Sequence, residues 1–370
     1  MGERIPRGFT ATASYNLPLQ AMNCAARTRV AICVPVRDEF ESLPALLESF
    51  AQQSVSRNCF IVCLLFDGCA DGGETYVQAR QPLLDYTLVT ARIERQSQAS
   101  AGRARRAAMA LGAQTLAGTR QPGDIELLLS TDADSIPAPD WVEASIKALR
   151  EADVVAGYIE RPDAPATDMH RRVERYWERL RCLQRTVDPL GHDPAPSHPS
   201  QGGASLGFRA DIYAALGGFD EVATHEDVRL VTAAREAGHR VRHDRAVRVA
   251  TSSRVTGRAV DGLADTLRAR QATCDMPAVL NPDAALERYR RGAQARRAFH
   301  DLEDDTIAFA LAERIGRPVN ELRTLADDCT SAESFVMRLV PEPTNGEELA
   351  LDTAEQRLAL LETAHGCPNA

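Results

Sequence analysis

The sequence predicts an α/β protein with a mostly parallel central sheet flanked by helices and a helical extension at its C-terminal end. Two observations predict it. From about residue 29 to residue 160, short apolar runs alternate with stretches of helix length, the pattern of successive βαβ units. Three of those runs are followed within a few residues by acids, at Asp38-Glu39, at Asp67 and at Asp132-Ala133-Asp134. The carboxyl ends of parallel strands are where an open α/β sheet binds its ligand.

The elements follow in order. Residues 1–28 read as a loosely ordered arm. Residues 30–36 are apolar at every position, as in a strand buried on both faces. An amphipathic helix is predicted over 41–53, a second buried strand over 59–66 and a helix over 73–81. A third strand over 86–93 leads to an Ala-rich helix over 102–116. The fourth strand, 125–130, precedes a helix over 139–150, and a strand over 154–159 closes the run. Crossovers between parallel strands of this kind are right-handed.

The second half has a different texture. Over 167–183, Met169, Val173, Tyr176, Trp177, Leu180 and Leu183 share one helical face. Residues 188–203 hold four prolines and three glycines and read as a long loop, a kind that is often functional. Short helices are predicted over 210–216 and 227–237, and a strand over 247–251. Beyond about residue 268 the chain reads as helical. Asn281-Pro282 supplies an N-cap and Pro at the first helical position, Gly316 and Pro318 stop a helix begun near Thr306, and Gly366 ends the last helix, 345–365. Three regions are expected: an arm, 1–28, a catalytic α/β domain, 29–268, and a helical region, 269–370.

Composition narrows the class of function. The chain has 370 residues, 44 % apolar and 26 % charged, with a net charge of −9. That charge gives nucleic acid or an anionic membrane no general hold. No stretch is long and apolar enough to span a bilayer, and the first 29 residues lack the apolar core of a secretory signal. The nine cysteines include no Cys-x-x-Cys pair, so a zinc site is not expected. Reduced thiols and a cytoplasmic location, or a peripheral one at the inner face of the membrane, are expected.

Several side chains could carry chemistry. Asp132 and Asp134 leave the end of the fourth strand; alternating carboxylates there can accept from a ribose hydroxyl and bind Mg²⁺ or Mn²⁺, the hard cations that oxygen ligands select. A solvated turn capped before Pro137 is the plainer alternative. Asp67 could accept a hydrogen bond from a nucleobase, or could serve an Asp-Gly turn. Arg103, Arg105 and Arg106 open a helix, where amides and guanidinium groups together attract anions. For Arg103 and Arg106 a solvated basic face is expected. Glu226-Asp227 also opens a helix; one acid is expected to cap it, and the other could be a general base. Arg254 and Arg258 could neutralise a leaving diphosphate. His192, His198, His239 and His243 are expected on the surface or in loops, and His198 is the one best placed for a role.

Taken together, these residues resemble the family 2 glycosyltransferases of the GT-A fold, over about residues 29–260. Val34-Pro35-Val36-Arg37-Asp38-Glu39 is similar to the family's first-strand Val-Pro-x-x-Asn-Glu, and Phe66-Asp67-Gly68-Cys69-Ala70-Asp71 to its Asp-Asp-Gly-Ser-x-Asp, with Phe66 in place of the first Asp. Gly102 with Ala104-Arg105 is similar to the segment near the diphosphate, and Thr131-Asp132-Ala133-Asp134 to the metal motif. Gly202-Gly203-Ala204 through Gly217-Gly218-Phe219-Asp220 to Glu226-Asp227 is similar to the acceptor-side pattern. The Gln-x-x-Arg-Trp motif of membrane-embedded polymerising members is absent; Ser253 to Arg258 lies near its place.

The resemblance implies an inverting, non-processive transfer from a nucleotide sugar. A UDP-sugar is the first expectation, with GDP- and dTDP-sugars next. It assigns catalysis to Asp227, with Glu226 next in line, and the metal to Asp134. It assigns nucleotide-sugar contacts to Pro35, Arg37, Glu39, Asp67, Gly102, Arg105, Asp132, Ala133, Arg254 and Arg258, and the acceptor side to Gly202, Gly203 and His198. Three alternatives remain open at the level of sequence: a retaining enzyme on the same fold, a sugar-phosphate nucleotidyltransferase, and a nucleotide-sugar-binding protein without turnover.

Overall fold

The computed structural model describes residues 9–15, 28–96, 99–118, 120–162, 168–251, 277–340 and 347–367, with no side chains described for 9–15 and Asp168. The chain divides into two compact units. The first lies within Met1–Ala164, Ser200–Val231 and Asp244–Ala272, the second within Pro165–Pro199, Thr232–His243 and Thr273–Ala370.

The first unit is α/β. Its strands are β1 (Phe9–Tyr15), β2 (Thr28–Val36), β3 (Phe60–Asp67), β4 (Thr87–Ile93), β5 (Ile125–Ser130), β6 (Ser135–Pro137), β7 (Val154–Glu160), β8 (Leu206–Arg209) and, from Asp244 on, β9 (Val241–Thr251). They form one sheet in the order β1-β4-β3-β2-β5-β8-β7-β9-β6. The pairs β2/β3, β3/β4 and β2/β5 are parallel. The helices are α1 (Leu43–Ala51), α2 (Gly73–Arg80), α3 (Ala101–Ala117), α4 (Trp141–Glu151), α6 (Ala210–Ala215) and the start of α7 (Glu226–Glu236). Val30, Ile32, Val34 and Val36 pack with Leu43, Leu46 and Phe50 of α1 and Trp141 of α4. The other face of β2 meets α3, where a Cβ on Gly112 would lie 2.4 Å from Cys33 Sγ. Two covered faces explain why these strands are apolar at successive positions.

Two features depart from expectation. The arm contributes β1, antiparallel to β4. Its sequence alternates Phe9, Ala11, Ala13 and Tyr15 with Thr10, Thr12 and Ser14, the period-2 signal of a strand. The second is β8, which enters antiparallel between β5 and β7, so the parallel part of the sheet runs only from β4 through β3 and β2 to β5. β8 is too short to show a period. A Cβ on its Gly207 would lie 2.7 Å from Val155 Cγ1 and 2.8 Å from Leu129 Cδ2, so close packing on both neighbours requires glycine there.

The second unit is helical. It contains α5 (Asp168–Val187), α8 (Pro282–Ala298), α9 (Asp305–Ile315), α10 (Val319–Asp327), α11 (Ala332–Leu339) and α12 (Leu351–His365), with a small hairpin of β10 (Ala278–Leu280) and β11 (Glu348–Ala350). The expected stripe on α5 is its packing face. Val173, Tyr176, Leu180 and Leu183 are buried against Val279, Ala285, Tyr289, Leu351, Ala354 and Leu358. Asn281 caps α8 by accepting the amide of Asp283, and Gly316 ends α9 in the left-handed conformation. No helix among the described residues is long and apolar enough to cross a membrane. Cys59 is disulfide-bonded, which corrects the expectation that all thiols are reduced.

Candidate functional site

The parallel register aligns the carboxyl ends of β2, β3 and β5. Val36 lies opposite Phe66, and Cys33 opposite Ser130. β8 runs the other way, so its leading residue, Leu206, sits opposite Ser130 and brings Gly203 to the same edge. α3 begins at that edge too. Its three arginines, within one turn, reach three different places.

Arg103 turns toward β3. Its Nη2 donates to Asp67 Oδ1 at 2.7 Å, and Arg37 Nη1, just past β2, donates to Asp67 Oδ2 at 3.0 Å. Asp67 is 1 % exposed, so this carboxylate is held by two guanidinium groups inside the edge of the sheet. Arg106 turns the other way, and its Nη1 donates to the carbonyls of Gly217 and Phe219 at 2.6 and 2.8 Å. A solvated basic face is therefore incorrect for both Arg103 and Arg106. The contacts that overturn it join residues far apart in sequence.

Arg105 is buried, with 6 % of its surface exposed. Its Nε donates to Glu226 Oε1 at 3.0 Å. Its Nη1 faces Ser130 Oγ at 3.0 Å, Asp132 Oδ1 at 2.9 Å and the Gly203 carbonyl at 2.9 Å. The Phe219 ring lies 5.8 Å from the guanidinium carbon. A Cβ on Gly203 would lie 2.4 to 2.6 Å from guanidinium atoms, so only glycine fits there. Burial pushes the pKa of Arg105 down, but Asp132, Glu226 and Asp227 together outweigh it and hold the pKa above the ordinary value. Glu226 is 3 % exposed, and its pKa is raised by burial. Arg105 opposes that rise, but its charge is shared among three carboxylates, and Asp227 adds to the rise.

Asp227 is half-buried. Its Oδ2 accepts the amide of Gly203 and its Oδ1 the amide of Val228, both at 2.8 Å. Two N–H bonds fix the carboxylate and leave lone pairs on both oxygens. His225, just before the pair, has a left-handed backbone with φ of 63°. Such strain in a non-glycine residue is characteristic of functional sites.

The remaining expected residues fall as follows. Pro35 is half-buried near the end of β2, and Ala133 is buried in the core cluster. Asp134 is half-buried after the turn in which Ser135 donates its amide to the Asp132 carbonyl. The Glu39 carbonyl accepts the amides of Ser42 and Leu43, and its carboxylate accepts from Ser42 Oγ, so it opens α1. Gly102 is not part of an open anion nest. Its amide donates to the Val222 carbonyl, that of Ala101 to the Ala223 carbonyl, and that of Arg103 to the capping Ser100 hydroxyl. A Cβ on Gly102 would lie 1.9 Å from the Asp220 carbonyl oxygen, so the residue is glycine for close packing. Gly202 sits against Ile159. Arg254 and Arg258 lie outside the described residues.

His198 lies in a loop, one of its two expected placements, but not at the surface. It is fully buried in the second unit, its ring edge-on to that of His243 at 5.7 Å between centroids. The loop that carries it is drawn inward by Asp193, which accepts from Arg181, Ser197 and the His243 amide. His243 is buried as well.

The residues bear on a cation in two places. Among the described residues, Asp38, Cys69 and Asp71 place three potential ligand atoms within 4.8 Å of one another. Their contacts are those of a loop junction. Asp38 accepts from the Ala70 amide and from Arg95, Asp71 accepts from the Phe40 and Gly73 amides, and burial pushes the Cys69 thiol up to about 11. Asp132 and Asp134 form the other place. Both are hard oxygen donors, and one or two protein carboxylates completed by phosphate oxygens and water is a usual Mg²⁺ or Mn²⁺ arrangement. Ser130, Arg103 and Arg106 were not expected at the site. Ser130, a polar residue closing an apolar run, was the visible signal.

No protein-family model and no curated protein matches this sequence. Among solved structures, the chain is similar to residues 1–349 of TarS from S. aureus in complex with UDP-GlcNAc. Identity there is 14 % and the TM-score 0.46, over 84 % of this chain and 89 % of that one. It is also similar to the mannosyltransferase PcManGT from Pyrobaculum calidifontis in complex with GDP-Man and Mn²⁺, with 18 % identity and a TM-score of 0.43, over 92 % of this chain and 76 % of that one.

Proposed function

We propose that the chain is a GT-A-type glycosyltransferase that moves a sugar from a nucleotide sugar to a hydroxyl acceptor with inversion. One observation carries the reading. The acid that leaves β5, Asp132, and the acid pair that opens α7, Glu226-Asp227, belong to one hydrogen-bonded cluster at the carboxyl edge of the sheet. A transferase needs an electrostatic grip on a diphosphate and a base for the acceptor in one place, and this cluster is built of those groups.

Asp132 keeps one oxygen on Arg105 and offers the other to a ribose hydroxyl. Asp134, with Asp132 beside it, would hold Mg²⁺ or Mn²⁺, which when bound supplies positive charge to the leaving diphosphate. Asp67 is enclosed and paired with Arg37 and Arg103, so a nucleobase would meet it together with those two guanidinium groups rather than as a lone acid. Asp227 accepts the acceptor's proton as its oxygen attacks the anomeric carbon. Its partial exposure suits that role, whereas Glu226 is enclosed and tied to Arg105.

The test is a thermal-shift panel of UDP-, GDP- and dTDP-sugars with and without Mn²⁺, followed by anomeric analysis of the product. Stabilisation by one nucleotide class identifies the donor. A retained anomer would replace the displacement mechanism, and no stabilisation by any nucleotide sugar would reject the donor site.

A further inference from the structure

Arg105 does more than bind. It contacts a residue from each of three segments: Asp132 after β5, Gly203 before β8, and Glu226 at the start of α7. The first belongs to the donor side of the proposed reaction, the last is adjacent to its base. Asp227 itself is fixed by the amide of Gly203, whose carbonyl Arg105 holds. We propose that Arg105 is a positioning residue that sets the donor-side carboxylate Asp132 against the base Asp227. This inference rests on the proposed function.

The chemistry of guanidinium fits the task. A planar fork can serve acceptors in several directions at once, and it keeps its charge when buried. A lysine ammonium has the charge without the fork. Ser130 reinforces the arrangement, because its hydroxyl donates to the same Gly203 carbonyl at 3.0 Å. The glycine at 203 is the complementary feature, since a side chain would occupy the guanidinium's place.

The test uses the full chain and three variants. Arg105→Lys should lower kcat by about ten- to a hundredfold, with donor affinity changed less than about threefold. Arg105→Met should lower kcat further, again with donor affinity changed less than about threefold, and a fall in kcat at preserved donor affinity is a split that a purely structural residue would not produce. Arg105→Met/Glu226→Gln removes the buried pair together. It should recover the melting temperature of the single Met variant if that variant folds poorly, without recovering turnover.

A loss of donor affinity at unchanged kcat would overturn the proposal and make Arg105 a donor-binding group. If the wild-type chain binds and turns over no nucleotide sugar, the function reading fails, and the positioning claim is judged without ligand. Hydrogen exchange at the Gly203 amide should then be faster in Arg105→Lys than in wild type, and equal exchange would overturn it.

Discussion

Asp227 accepts the amide of Gly203 at 2.8 Å across 24 positions of sequence, tying the first turn of α7 to the segment that leads into β8. The carboxylate is thereby aimed before any substrate arrives. Asp227→Asn keeps the shape and can still accept both amides through its carbonyl only in part. We expect donor binding to persist and turnover to fall by about two to four orders of magnitude. Isothermal titration with donor and steady-state kinetics check this. Near-normal turnover in Asp227→Asn together with loss in Glu226→Gln would transfer the role to Glu226.

Gly203→Ala probes the same junction from the other side. Its Cβ would lie 2.4 Å from Arg105 Cζ, and a guanidinium held by four acceptors cannot step aside cheaply. We expect a loss of about 1–3 kcal/mol in unfolding free energy, the usual scale of overpacking, and a fall in kcat. Gly191→Ala is the control, since nothing lies within 4 Å of a Cβ there. Equal effects at the two glycines would show that Arg105 has room to move.

Much of this was legible in the sequence because it is local. The apolar run of β5 before Asp132-Ala133-Asp134 and the stripe on α5 need only a period to be seen. What was not legible depends on closure. Arg103, Arg105 and Arg106 are near neighbours with the same side chain, and only the fold sends one to Asp67, one to Glu226 and one to the Gly217 carbonyl. His198 sits in a Pro-rich loop that composition places at the surface, until the ion pair of Arg181 with Asp193 draws it inside. β8 has four residues, too few to carry a pattern, yet it inserts between β5 and β7.

Asp134→Ala should abolish the Mn²⁺-dependent part of donor affinity and leave the fold intact. The residue is half-buried beyond the end of β5 and outside the core cluster. Donor titrations with Mn²⁺ and with EDTA measure that part. Asp71→Ala is the comparison, because Asp71 belongs to the other group of potential ligands. Metal dependence lost at Asp71 and kept at Asp134 would move the cation to the loop junction.

The second unit should weaken as pH falls, in two steps. Burial, then Arg181, pushes His243 from its ordinary 6.5 down to about 4. Between those values the unfolded chain binds the proton and the folded one does not, so stability is complete above about 6.5 and declines toward 4. The full step is on the order of 3 kcal/mol. Glu333 is held at about 2 because Arg235 and Arg296 outweigh its burial, so its contribution declines below its ordinary 4.5. Chemical unfolding of wild type and His243→Gln across this range separates the steps. The variant should lose the upper one, and an unchanged upper step would assign it to another group.

Removal of residues 271–370 should yield aggregated protein. The deletion takes away α8 and α12, which cover Val173, Tyr176, Leu180 and Leu183 of α5. Those side chains lie on one face, so their exposure would create a continuous apolar patch of the kind that drives association. It would also strip Arg172 of Asp352 and Glu355, and Arg179 of Glu362, leaving the cations that flank the seam without partners. Size-exclusion chromatography of the truncated chain reads the outcome. Replacing Val173, Tyr176, Leu180 and Leu183 with polar residues in the same truncation should restore solubility. That rescued chain then shows whether donor binding, which the first unit's residues are proposed to carry, survives alone. A truncated chain that stays monomeric without the replacements would mean that α5 can bury its face without the C-terminal helices.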